Sequence, residues 1–473
     1  MSSFTAFLAS QFGTPVPNPH LNLIQYAKAA YPQSQHVSVL YTLGYSAFPL
    51  SGYLEAVGVK PTVVEPETHS TLCYAEDTKT VYTKAVAGVT EFTHSGVAYR
   101  VYKASWSQDF RPHEFYHLVF AGADDSAGQA FAQAVFAWGQ DLREQIWVFE
   151  GGQWDKSKQL YKAVQAASWD DIVLDEQFKE GLRRDTKTFF ENKDAYASLN
   201  IAWKRGILLL GPPGNGKTES IKALLNENKH IAPLYVKSFT TCRGPEEGVQ
   251  AIFEHARAHS PCILILEDLD AMLVPEVRSL FLNEMDGLAD NEGILTIATT
   301  NHPERIDDSI LNRPSRFDVK YDFTLPDAAL RKTFAVKWLG KVNALAANTG
   351  VEFEDSEATA KVVAEKTDGW SYAILKELFV SFLLRMAHDK SLRRSGVDVP
   401  SEAVESVLVK QVDQLAAQIV KAKNESAESG VAKAGMDAAL AAAMGSRQRK
   451  AVQDMMSGLR GNSGSFVKSG VDF

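Results

Sequence analysis

The residues Gly211-Pro212-Pro213-Gly214-Asn215-Gly216-Lys217-Thr218 fit the pattern G-x-x-x-x-G-K-[ST] of a phosphate-binding loop. Gly214 and Gly216 carry no Cβ, so the amides around them turn inward and form a nest for phosphate oxygens. Lys217 sets an ammonium against the terminal phosphates, and Thr218 offers its hydroxyl to Mg2+. The helix that opens at Lys217 adds the positive end of its dipole. Pro213, Asn215 and Glu219 complete this cofactor-binding group. Further along, ILILEDLDAML runs four apolar residues from Ile263 into Glu267-Asp268-Leu269-Asp270. Adjacent acids at the end of a buried strand are costly unless something binds them. With a phosphate loop upstream, one carboxylate helps to hold Mg2+, partly through water, and the other orients the attacking water. Asp270 is either a third member or a helix cap. Asn301 ends the apolar run LTIATT, where its amide senses the same phosphate or simply makes a turn. Arg313 and Arg316 lie three apart in NRPSRFD, and Pro314 rules out a long helix there. They suit phosphate or carboxylate recognition, or plain surface ion pairs.

Positioning these groups needs strand ends that converge. Helical stretches alternate with GILLL, PLYVKSF, CILILED and GILTIATT, the pattern of βαβ units on a parallel sheet. In such sheets ligands sit at the carboxyl ends of the strands. The expected fold is therefore α/β, a parallel-sheet P-loop core over residues 166–326 with a small all-helical lid over 327–392. An N-terminal α+β domain over 1–165 precedes it, with strand-like runs at HVSVLYT, KTVYTKA, GVAYRVYKA, HEFYHLVFA and QIWVFE, a helix from Ser126 and a turn at Gly151-Gly152. Over 393–473, Val404, Leu408, Val412, Leu415 and Ile419 share a helical face, docked or partner-binding, before a mobile tail rich in Ala, Gly and Ser.

The 473 residues carry a net charge of −9, which argues against a protein that coats nucleic acid. Cys73, Cys242 and Cys262 have neither disulfide nor zinc spacing; a reducing compartment and small buried apolar roles are expected. No apolar run approaches the ~18 residues of a membrane span, and the N-terminus lacks the basic residues of a targeting signal. The expected location is the cytoplasm or nucleoplasm.

Taken in order, GPPGNGKT, ILILEDLD, NEMDGL, ATTNHPERIDDSILNRPSRFD and GWSYAILKEL resemble the AAA family of ATPases over residues 169–387. The resemblance implies Walker A and Walker B roles for the first two. It places Asn301 at the sensor-one position, and Arg313 and Arg316 at the arginine-finger pair that reaches the nucleotide of a neighbouring subunit. WDDIVL resembles the segment against adenine, which makes Asp171 and Ile172 adenine-pocket candidates, and Gly369 opens the lid segment. A homo-oligomeric ring follows, most often a hexamer, with ATP and Mg2+ as cofactors and a protein client.

The sequence departs from that family in three ways. Walker B ends in Glu-Asp instead of Asp-Glu, as in the subgroup that includes the mitochondrial chaperone for respiratory complex III assembly, whose rings have seven members. Glu267 then takes the Mg2+ side, and Asp268, one methylene shorter than the usual Glu, takes the water side. SFTTCRGPEEG has no aromatic directly before Arg243-Gly244, with Phe239 the nearby candidate for a pore loop. The loop after Walker B, AMLVPEVRS, is very short. The membrane anchor of the mitochondrial subgroup is not expected. These readings favour an Mg2+-dependent ATPase that remodels a client. The alternative is a nucleotide-gated scaffold with little hydrolysis, while a small-molecule kinase has no need of NRPSRFD or the helical lid.

Overall fold

The structure, a computed structural model, describes residues 19–428 except 43–47, 76–78, 109–110, 287–290, 312–315, 347–349, 396–397, 399 and 401. It divides into two compact units, Met1–Arg143 and Glu144–Phe473.

The first unit is built on an antiparallel sheet of β1 (Gln35–Thr42), β2 (Thr62–Val63), β3 (His69–Ala75), β4 (Thr80–His94), β5 (Val97–Gln108) and β6 (Arg111–Phe120), ordered β1-β6-β5-β4-β2 with β3 on β4. Side chains alternate across the sheet. Tyr99, Val101, Leu118 and Phe120 join Phe131 and Val135 of helix Ser126–Gln140 on one face. Val89, Tyr102, Phe115 and Val119 join Leu23 and Ala27 of helix Pro19–Ala30 on the other. Strand β3 gives no alternation in the sequence because its apolar residues face outward; Leu72 is 77% exposed.

A polar chain crosses the β1–β6 pair. The His36 Nε2–H donates to the Tyr31 carbonyl (3.1 Å), His117 Nε2–H donates to His36 Nδ1 (3.0 Å), and the Ser38 hydroxyl donates to His117 Nδ1 (2.9 Å). This tautomer set satisfies every contact. His117 is 1% exposed. Burial, then His36 and Lys28, push its pKa down from 6.5 to about 4. Folded His117 thus stays neutral where the unfolded imidazole takes a proton. Its contribution is full above pH 6.5 and is lost as the pH falls toward 4, by about 3 kcal/mol at most. Hydrogen exchange of β1 and β6 amides in urea should show this loss between pH 7 and pH 4.5, and His117→Asn should flatten the slope. An unchanged slope in that variant would refute the assignment.

The second unit carries β7 (Ile146–Glu150), β8 (Gln153–Ser157), β9 (Lys204–Leu210), β10 (Ala232–Val236), β11 (Cys262–Leu266), β12 (Ile294–Thr300) and β13 (Val319–Asp322), in the order β13-β9-β12-β11-β10-β7-β8. All pairs are parallel except the β7–β8 hairpin. The expected boundary after residue 165 therefore moves to 143. Strand β7, expected in the N-terminal domain, pairs instead with β10, because its residues Ile146 to Phe149 are all buried, as an interior parallel strand requires. The chain runs from β9 out to β10, steps back through β11 and β12, and then places β13 on the far side of β9. That reversal opens a crevice at the ends of β9, β11 and β12.

Helices Ala328–Ala344, Ser356–Lys366 and Tyr372–Arg394 form the lid, with Asp327 and Asp355 capping the first two. Helix Val404–Glu428 docks on them. Leu408, Val412, Leu415 and Ile419 enter the same core as Phe334, Leu339, Leu375, Phe379 and Phe382. The lid thus runs past the expected limit of 392, since the apolar stripe of this helix is spent on it. The expected tail beyond Glu428 lies outside the described residues. All three cysteines are free. Cys262 is buried as expected, with its thiol pKa pushed up to about 12 by burial, but Cys242 is exposed and Cys73 half-buried.

Candidate active site

Strand β9 delivers the glycine loop to the crevice. It is buried from Gly206 to Leu210, and a Cβ at Gly206 would lie 1.9 Å from the Arg316 carbonyl oxygen, so only glycine fits there. Gly214 and Gly216 take φ of +80° and +98°, a left-handed backbone closed to most side chains. Helix Lys217–Glu227 follows with Gly216 as its N-cap and no side chain capping it, so its first amides are left for an anion. Lys217 is 6% exposed, and its ammonium donates to the carbonyls of Gly211 and Pro212 (3.0 Å to the latter). Asn215 is buried, with Nδ2 on the Pro212 carbonyl (3.3 Å).

The acids meet the loop from β11. The Thr218 hydroxyl donates to Glu267 Oε1 (2.6 Å), and the Tyr235 hydroxyl, from β10, donates to Glu267 Oε2. Burial and then Glu267 raise the Tyr235 pKa, which keeps that phenol a donor. Asp268 sits in the left-handed region (φ 54°, ψ 49°). Its N–H donates to Thr299 Oγ1 (3.0 Å), and its carboxylate accepts from Asn301 Nδ2 (2.8 Å). Burial, then Glu267 and Asp270, raise the Asp268 pKa. Asp270 caps nothing; it accepts from Thr300 Oγ1 (2.7 Å) and ties the turn to β12.

The glycine loop, the acid pair, Thr299 and Asn301 line one cavity of about 580 Å³. Its walls include Pro213, Gly214, Asn215, Gly216, Lys217, Thr218, Glu219, Glu267, Asp268 and Asn301. Asp171 and Ile172 line it as well. The Glu219 carboxylate is exposed and pairs with Lys222 (2.8 Å). Lys341 Nζ lies 2.7 Å from Asp171 Oδ1 and holds that carboxyl below its usual range. The lid meets the loop directly. The Ala373 N–H donates to the Gly214 carbonyl (3.0 Å), and a Cβ on Gly214 would lie 2.6 Å from the Ala373 Cβ.

Residues 207–325 match the family described as ATPase family associated with various cellular activities (AAA). This chain carries an AAA ATPase domain. The chain is 35% identical to an uncharacterized AAA domain-containing protein of Schizosaccharomyces pombe over 36% of this chain and 23% of that protein. It is 31% identical to the ATP-dependent zinc metalloprotease FTSH 1, chloroplastic, of Oryza sativa subsp. japonica over 54% of this chain and 39% of the relative. It is 31% identical to the ribosome biogenesis ATPase RIX7 of Saccharomyces cerevisiae over 47% and 26%. The chain thus spans well under half the length of these curated relatives. Among the described residues, no helix is long and apolar enough to cross a membrane.

An AAA domain implies ATP binding, and the donor set fits both ATP and its cation. The Thr218 hydroxyl and the Glu267 carboxylate are hard oxygens beside an amide-lined loop. Among the described residues no cluster of three or more His, Cys, Asp or Glu could hold a metal ion. A cation at Thr218 and Glu267 would complete its shell with water and phosphate oxygens, as Mg2+ does.

Not every candidate of the AAA domain reaches this cavity. The Arg316 guanidinium is 5% exposed and turned inward, with Nε and Nη2 on the Asp286 carboxylate (3.0 and 2.8 Å) and Nη1 on the Ser309 carbonyl. In this conformation it braces its own domain. Arg313 lies outside the described residues. Gly369 does not line the cavity. It makes a turn at φ +72°, beside Asp368, which Arg331 grips at 3.1 Å. Phe239, the nearby aromatic considered for a pore loop, is 2% exposed and packs on Phe281 with ring centroids 5.7 Å apart. Sequence reasoning missed Tyr235, Thr299, Phe334, Trp338, Lys341 and Lys376. A tyrosine in the otherwise apolar APLYV strand was the one readable signal, since a buried phenol needs a polar partner.

Proposed function

We propose that this chain hydrolyses ATP with Mg2+ as part of an AAA ring and couples the cycle to remodelling a protein client bound through the first unit. The observation that carries this reading is the convergence of Lys217, Thr218, Glu267, Asp268 and Asn301 on one lidded cavity. The loop amides and Lys217 hold the β- and γ-phosphates. Thr218 and Glu267 would hold Mg2+, which when bound neutralises charge on the phosphate oxygens. Asn301 fixes the Asp268 carboxylate, which orients the attacking water and takes its proton. Asp171, Ile172, Trp338 and Tyr372 enclose the base. The Ala373–Gly214 contact lets the lid report whether the loop is filled.

Arg313 completes the site from the adjacent copy. Arg313→Ala is expected to bind ATP normally and lose about a thousandfold in phosphate release. Mixed one to one with Lys217→Ala, it should regain turnover, because about a quarter of head-to-tail interfaces then pair an intact loop with an intact arginine. Full turnover by Arg313→Ala alone, or a mixture that assembles and stays inactive, would overturn the trans assignment. Native mass measurement of the ATP-bound particle distinguishes six copies from seven.

A second reading is a nucleotide-gated scaffold. Asp268 favours it, being shorter than Glu and held in a left-handed backbone by two bonds to β12 and the residue after it. Tight ATP binding with phosphate release near zero in the wild-type chain would select that reading.

A further inference from the structure

We propose that Tyr235 is a positioning residue for the cation side of the site, holding the Glu267 carboxylate in the one orientation that Thr218 also engages. The proposal rests on the reading of Thr218 and Glu267 as the cation's protein ligands.

The inverted acid pair creates the need. The cation side carries Glu in place of Asp, with one more rotatable bond between backbone and carboxylate. Thr218 ties only Oε1, and a carboxylate held by one oxygen still pivots about that bond. A second tie at Oε2, from a different element, fixes its plane. Strand β10 is well placed to supply it. It pairs in parallel with β11, with Tyr235 opposite Ile265, so Glu267 lies two residues further along. At a strand rise of about 3.3 Å per residue, the gap is roughly 6.6 Å. A phenol bridges that distance, whereas a Ser, Thr or Asn at the same place falls short. The Tyr235 ring packs against the core cluster of Ile263, Ile265 and Ile297, so the hydroxyl sits on a rigid lever instead of a flexible chain. Its other flank lines a separate cavity of about 590 Å³ together with Glu267 and Asp268.

Tyr235→Phe keeps the ring and removes the hydroxyl. In the full chain, affinity for a fluorescent ADP in EDTA should stay within about twofold of wild type. Mn2+ binding to the ADP complex, read from the free-ion EPR signal, should weaken about tenfold, the scale of one hydrogen bond to a charged group. The Mg2+ concentration for half-maximal turnover should rise alongside it. In a Glu267→Ala background, Tyr235→Phe should change Mn2+ binding no further, because its effect passes through that carboxylate. Unchanged Mn2+ affinity in Tyr235→Phe, or an equal loss in the Glu267→Ala background, would overturn the proposal. Wild-type ADP binding that ignores Mn2+ and Mg2+ altogether would instead overturn the cation-site reading beneath it.

Discussion

Asp268→Asn should bind ATP as tightly as wild type and release phosphate a hundredfold to ten-thousandfold more slowly, the range for losing a general base. The substitution is nearly isosteric. The new amide oxygen still accepts from Asn301 Nδ2, and the backbone N–H still reaches Thr299, so the local geometry survives. What disappears is a group that takes a proton. Equilibrium binding of a fluorescent ATP, set beside single-turnover phosphate release, separates the two effects. Wild-type turnover in this variant would remove Asp268 from the chemistry and move the water-side role elsewhere.

Lys217→Ala should lose nucleotide binding itself, by several hundredfold or more. Its ammonium is buried among the Gly211 and Pro212 carbonyls at the floor of the cavity. Hydrogen bonds from a charged donor contribute about 1.5–3 kcal/mol each, and a lysine facing terminal phosphates makes more than one. Calorimetry with ATP measures the loss, and a far-ultraviolet spectrum checks that the sheet is intact. Binding within a few-fold of wild type would mean that the loop amides suffice without the cation.

Strands β9 to β12 of the second unit and the floor of its site were legible because both are written locally. Short buried strands read as continuous apolar runs, and the glycines, Lys217, Thr218 and the acid pair sit at strand ends in single short segments. The lid side was less legible. Trp338 and Lys341 occupy a helix whose pattern announces only a buried face, and the Lys341–Asp171 pair joins residues 170 positions apart. Arg316 shows the opposite difficulty. Its place in NRPSRFD points outward to a neighbour, but Asp286 at the end of helix Pro275–Asp286 draws it inward, and no spacing rule links those two residues. In the first unit, β3 escaped notice because an exposed strand has no buried face to mark it, and β7 was placed with the wrong sheet because an apolar run does not name its partner.

No described residue of helix Val404–Glu428 lines the cavity, yet its apolar stripe finishes the interior on which Phe334, Trp338 and Tyr372 rest. The perch proposed for the base thus leans on a helix far downstream of the phosphate loop. A binding protein or a bulky fusion on this helix is therefore expected to slacken the proposed grip on the nucleotide without approaching a phosphate.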